Sequence, residues 1–184
     1  MVTGTIIILV VAVVLALWLA LAYNSLVGWR YAVKNAWSQI DVQLKRRYDL
    51  IPNLVSTVKG YAKHEKEIFE NVAKARSACL EAKSSKDRID AENVLTGTLK
   101  TLFAVAENYP ELKANQNFLA LQEELTSTEN KISFARQFYN DTVMAYNIKL
   151  QSVPTNLVAS IFNFTPETFW QAPEAEKSAV KVEF

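Results

Sequence analysis

The sequence has little of what reactive sites are usually built from. It holds one histidine, His64, and one cysteine, Cys79. A single thiol forbids an intrachain disulfide, and a single imidazole argues against a histidine-rich metal centre. His64-Glu65-Lys66-Glu67-Ile68 copies the start of a zinc-protease HExxH signature but lacks its second histidine. His64 therefore reads as a solvated helix residue and Cys79 as a small apolar one. Four glycines are too few and too scattered for a phosphate-cradling loop or a dinucleotide fingerprint, and no nucleophile elbow is present. With only five prolines as well, long helices are favoured over a β-rich fold. Charge of one sign is also missing: twenty Lys and Arg stand against nineteen Asp and Glu, a net charge of +1, so no global field draws the chain to nucleic acid. Carboxylates such as Glu65, Glu67, Glu70, Glu123 and Glu124 are spaced as on ordinary helix surfaces. Enzyme activity, a cofactor and a metal are not expected.

What is present is apolar. Half of the residues are hydrophobic, enough to fold one domain, and from Val2 to Ala22 there is no charge at all. At about 1.5 Å per residue that run spans a hydrocarbon core of about 30 Å. Trp18 and Tyr23 stand where interfacial aromatics belong. Ala20-Leu21-Ala22 resembles a signal-peptide cleavage site, but no Lys or Arg precedes the run, so a retained anchor over residues 1–23 is expected. The first basic residues, Arg30 and Lys34, follow it, which predicts an N-terminus outside and a cytoplasmic domain.

Residues 24–172 read as one all-α domain, an elongated antiparallel bundle into which the anchor helix runs on. Leu26, Val33, Trp37, Ile40 and Leu44 keep helical spacing up to Pro52, which is expected to end or kink the helix. A second helix follows toward Ala82, and Lys83-Ser84-Ser85-Lys86-Asp87 separates it from a third, which stops before Pro110. The fourth is the most regular: Phe118, Leu121, Leu125, Thr128, Ile132, Ala135, Tyr139, Thr142, Tyr146 and Leu150 form a heptad-like seam that needs a facing helix, from the same chain or another. After Pro154, Leu157, Ile161, Phe162, Phe164, Phe169 and Trp170 make an aromatic hook. It either folds over the bundle end or docks a partner. Thr165-Pro166-Glu167 looks like a helix cap, and a mobile tail is expected over residues 173–184. Lys45-Arg46-Arg47, about 30 Å beyond the membrane by helical rise, is expected to pair with acidic residues of the bundle rather than with lipid.

Tyr23-Asn24-Ser25-Leu26-Val27, the stretch AWSQIDVQLKRRYDLIPNLVSTVKGY over 36–61 and NKISFARQFYNDTVMAYN over 130–147 closely resemble the LemA family of bacterial membrane proteins. Gln116-Asn117-Phe118-Leu119 and Pro154 with its following aromatics extend the likeness to nearly the whole chain. The resemblance implies a single-pass protein of the bacterial inner membrane with a helical bundle. It brings no catalytic residues, and it suggests as partner a membrane zinc metalloprotease of the HtpX type in quality control. Side by side, the two long strings would set Arg46 or Arg47 against Glu129 or Asp141, with Asp49 and Arg136 nearby, as a buried polar network fixing register. The leading expectation is a membrane-tethered scaffold that forms a homo-oligomer and organises a protease partner. The alternative is a lipid-binding or envelope-sensing module reading headgroups with Trp29, Arg30, Tyr31 and Lys34.

Overall fold

The computed structural model describes residues 2–171, so the expected tail lies outside the described residues. Those residues hold six helices and no strand: α1 (Val2–Lys59), α2 (Lys66–Glu81), α3 (Ser85–Ala106), α4 (Pro110–Lys113), α5 (Gln116–Gln151) and α6 (Thr155–Ile161). The fold is all-α and its N-terminal helix is the long apolar one.

Two expectations about helix ends need correction. Pro52 does not end α1, which runs on to Lys59. Proline has no N–H to donate, so the carbonyl four residues earlier, that of Tyr48, loses its helical partner. Arg76 on α2 supplies one, its Nε donating to the Tyr48 oxygen at 2.9 Å. The break comes instead at residues 60–65, a turn that holds an exposed His64 rather than a helical one. Nor does Thr165-Pro166-Glu167 start a helix, since residues 164–171 are without regular structure. Backbone groups of Thr165, Glu167 and Thr168 are taken up by side chains of α5, described below.

Other boundaries follow local chemistry. Ser84 caps α3, accepting from the Asp87 N–H at 3.0 Å, and Asn115 caps α5, accepting from Phe118 N–H at 3.0 Å. Beyond α6, Asn163 takes a left-handed φ of 54°, and Phe164 N–H donates back to the Ala159 carbonyl at 2.9 Å. This is the hydrogen bond of a Schellman stop, with asparagine in the place glycine usually fills.

The chain forms two compact units. The first, residues 2–40 with 134–169, sets α1 antiparallel to the end of α5: Trp37 meets Tyr139 edge-on at 5.3 Å, and Tyr23 meets Phe162 at 4.7 Å. Leu26, Val33, Ala36, Ile40, Val143, Tyr146, Leu150 and Val158 are among its buried residues. The second, residues 41–133 with 170–171, gathers the end of α1, α2, α3, α4 and the start of α5. Leu44, Ile51, Leu54, Val72, Leu95, Leu102, Leu112, Leu125 and Ile132 fill its core. The heptad seam of α5 closes within one chain: Phe118, Leu125, Thr128 and Ile132 are buried in the second unit, and Tyr139, Thr142, Tyr146 and Leu150 in the first. Its two threonine hydroxyls are satisfied by their own helix, Thr128 donating to the Glu124 carbonyl and Thr142 to that of Phe138.

Candidate functional site

Within the second unit, Arg47 and Glu92 are both wholly buried, at 0% exposure. The Arg47 guanidinium donates through Nη2 to Glu92 and through Nη1 to Glu129, and again through Nη1 to the Thr96 hydroxyl at 3.2 Å. The Tyr48 hydroxyl donates to the other oxygen of Glu92. One cation thus joins α1, α3 and α5 around two carboxylates. Coulombic attraction in a dry interior is strong, but so is the loss of hydration, and such a cluster fixes which helices meet more than it adds net stability. Arg46 reaches Glu124 at the surface, and Arg88 holds Asp41 at 2.7 Å.

Of the six residues expected in this network, Arg47 and Glu129 are brought together. Arg46 pairs with Glu124 rather than Glu129 or Asp141, and Asp49 is exposed. Arg136, half-buried, and Asp141, exposed, belong to the first unit. Glu92, Tyr48 and Thr96 were missed by sequence reasoning. Glu92 falls in step with Ile89, Leu95, Leu99 and Leu102 on the apolar face of α3, and a carboxylate there was the signal that it has a buried cation to meet.

The chemistry open to this cluster is narrow. Arg47 and Glu92 are sealed from solvent while Glu129 is partly exposed, and no group of three or more His, Cys, Asp or Glu placed to hold a metal occurs among the described residues. Cys79 is buried nearby, and burial pushes its thiol up despite the opposing pull of Arg47 and Arg88, so it is held as an unreactive thiol. A surface groove of about 370 Å³ is lined by Ile51, Pro52, Val55, Lys59, Ala73 and Arg76. Arg76 is already committed to the Tyr48 carbonyl.

In the first unit the hook is held by its main chain. Asn147 on α5 donates to the Glu167 carbonyl at 2.9 Å and accepts from the Glu167 N–H at 3.0 Å. Tyr146 donates to the Thr165 carbonyl at 3.2 Å, and Tyr139 to that of Thr168 at 2.9 Å. These bonds replace the ones a helix would have made. Burial, with Glu167 adding a smaller effect, pushes the Tyr139 hydroxyl up to about 12, and the same two causes raise Tyr146. Of the candidate interaction residues, Leu157, Ile161, Phe162 and Phe169 are exposed. Phe164 is half-buried with the Arg30 guanidinium over its ring at 5.1 Å. Trp170 is buried and belongs to the second unit.

The headgroup-reading set lies on α1 of the first unit. Trp29 and Arg30 are half-buried, whereas Tyr31 and Lys34 are exposed, with the Lys34 ammonium 5.4 Å from the centre of the Tyr31 ring. The run before them is long and apolar enough to cross a membrane, and none of it is buried inside the protein.

Comparison with known proteins agrees with this picture. The protein LemA of Metamycoplasma hominis is 28% identical over 161 residues, covering 84% of this chain and 71% of its own length. Magnetosome protein MamQ 2 of Paramagnetospirillum magneticum is 24% identical over 183 residues, covering 85% and 67%. Magnetosome protein MamQ of Magnetospirillum gryphiswaldense is 22% identical over 185 residues, covering 86% and 68%. These relatives and the exposed apolar helix make this a single-pass membrane protein. The LemA family model matches residues 36–184, which include the polar cluster and the hook, and the chain belongs to the LemA family.

Proposed function

We propose that this protein is a non-enzymatic, membrane-anchored scaffold that self-associates and presents one face of α5 to a membrane protein partner. A single observation carries the reading. Phe134, Phe138, Met144 and Ile148 lie along the outward side of α5 at 72%, 50%, 49% and 58% exposure, while the opposite side of the helix is the buried seam. Apolar residues scattered singly on a surface need no explanation, but four on one stripe do.

Lipid is a poor cover for the Phe134 and Phe138 half of that stripe. Trp37, which meets Tyr139 beside Phe138, stands fourteen residues past Tyr23. By helical rise that is about 21 Å, whereas the interfacial zone of a bilayer is about 5–8 Å deep. Protein is the cover that reaches Phe134 and Phe138. An antiparallel second copy centred between them sets each Phe134 against the partner copy's Phe138, a self-complementary contact of two-fold type. Asp141, exposed and in no ion pair among the described residues, favours a Lys or Arg on any other helix laid along the stripe. Membership of the LemA family suggests a membrane metalloprotease of the HtpX type as that partner. A cytoplasmic domain at the bacterial inner membrane is part of this reading, and what supports it is that the first basic residues, Arg30 and Lys34, follow the anchor.

The test is to extract the full-length protein in mild detergent, measure its mass by light scattering and identify co-eluting proteins by mass spectrometry. A large homogeneous particle that Phe134→Gln with Phe138→Gln reduces to monomers of unchanged helix content is the expected result. A lone monomer from the native membrane, or a particle indifferent to those changes, would overturn it. The headgroup-sensing alternative draws on Tyr31 and Lys34, which are exposed about 12–17 Å past Tyr23 by helical rise, farther than the interfacial zone reaches.

A further inference from the structure

We infer that α6 and the start of the hook form an interfacial foot, whose exposed apolar residues insert into the same membrane leaflet from which α1 emerges. The inference does not rest on the scaffold reading; it concerns a different surface of the first unit. Four observations converge on it.

The first is level. The apolar run of α1 ends at Ala22, and the next residue, Tyr23, has its ring 4.7 Å from that of Phe162 and 5.8 Å from that of Phe164. Arg30, seven residues and about 10 Å farther along α1, lies over the Phe164 ring at 5.1 Å. Phe162 is therefore held at the height of the interfacial tyrosine, within one or two helical turns of the hydrocarbon boundary.

The second is direction. Val158 and Ala159 turn inward and are buried, whereas Leu157 and Ile161, one turn apart on α6, are exposed at 61% and 66%, with Phe162 and Val153 exposed beside them. The foot thus has an inner side that packs on its own unit and an outer side, led by Leu157 and Ile161, that stays exposed among the described residues.

The third is charge. Lys149 and Glu167 are the nearest charged residues on either side, and residues 150–166 between them carry none. A surface loop in water has no reason to be free of charge over that length, but a segment resting among headgroups and acyl chains does. The fourth is continuity: Phe162 meets Tyr23 where the apolar run of α1 ends, so lipid that covers that run also reaches the foot. Amphipathic elements of this kind sink about 5–10 Å below the headgroups. That depth matches the height set by Tyr23.

Full-length protein reconstituted in phosphatidylcholine vesicles tests this. An environment-sensitive fluorophore is attached at Leu157→Cys or Ile161→Cys, with Val94→Cys on exposed α3 as control, in a Cys79→Ala background of native helix content. Should that background unfold, Cys79 is retained, since it is buried, and its unlabelled state is verified by mass. The expected result is emission at 157 and 161 quenched several-fold more than at 94 by lipids carrying a nitroxide near the top of the acyl chain, with little quenching by aqueous iodide. Iodide quenching equal to that at 94 would overturn the inference in favour of a solvated loop. Protection from both iodide and nitroxide lipid would overturn it in favour of a covering protein.

Discussion

Arg76 donates from Nε to the carbonyl of Tyr48, the one carbonyl in α1 that Pro52 deprives of its helical donor. A proline inside a helix costs about 3 kcal/mol or more, through the lost hydrogen bond and the ring's clash with the preceding turn. The guanidinium removes part of that cost, because the freed oxygen is partly buried and would otherwise go without a donor. The two residues are therefore coupled: Arg76→Met should destabilise the protein by about 1.5–3 kcal/mol, the worth of a hydrogen bond to a charged group. In a Pro52→Ala background, where the backbone N–H is restored, the same change should cost much less. Urea unfolding of the four proteins in detergent, followed by circular dichroism, measures the difference. Equal costs in both backgrounds would show that Arg76 does not serve the proline.

Removing the cation of the buried cluster leaves the buried Glu92 without the Arg47 guanidinium. Arg47→Met should cost about 3–5 kcal/mol, the usual result of breaking one side of a buried pair. Converting both partners, Arg47→Met with Glu92→Met, should recover most of that loss, since the penalty is the stranded charge rather than the missing attraction. A single change that is harmless in the same unfolding assay would exclude a structural role for the cluster.

Alkali should release the hook. The Tyr139 hydroxyl is raised from 10.0 to about 12 and donates to the Thr168 carbonyl. A folded-state value above the unfolded one means the protonated form is favoured by folding, so this contribution is whole below about pH 10 and is lost as pH climbs toward 12. Proteolysis after Lys149 or fluorescence of a label at Phe169→Cys should report loosening across that window. Tyr139→Phe should loosen the hook already at neutral pH, by about 1 kcal/mol, and flatten the alkaline response.

The left-handed residue that stops α6 is an asparagine. Asn163→Gly should be neutral or slightly stabilising, while Asn163→Val, whose branched side chain resists positive φ, should cost about 1–2 kcal/mol. Thermal unfolding of the two variants beside the unsubstituted protein is sufficient to decide.

The sequence made some of this legible and hid the rest for a consistent reason. The anchor and the α5 seam were readable because apolar periodicity acts within a turn or two of the same helix, whereas α3 begins at Ser85, inside the polar cluster expected to separate it from α2. That the helix runs on past Pro52 was not readable, because the compensation comes from Arg76, twenty-four residues away on another helix. Thr165-Pro166-Glu167 carries the local chemistry of a helix start, yet Asn147 of α5 competes for the amide that would have begun it and wins. The pairing of Arg47 with Glu129 could be anticipated from two strings lying side by side. Glu92 was in plain view as a charge among leucines, but an unmatched carboxylate acquires a meaning only once its cation is known.

Asn147 exchanges two hydrogen bonds with Glu167, and both are made to backbone atoms; the bonds from Tyr146 and Tyr139 also end on carbonyls. The grip on residues 165–168 is consequently blind to side-chain identity. The three donors on α5 are costly to change, whereas Thr165, Glu167 and Thr168 are free to be replaced by almost any residue that can lie extended. The outer surface of that segment can thus be rewritten, by mutation in nature or by grafting in the laboratory, without loosening its attachment.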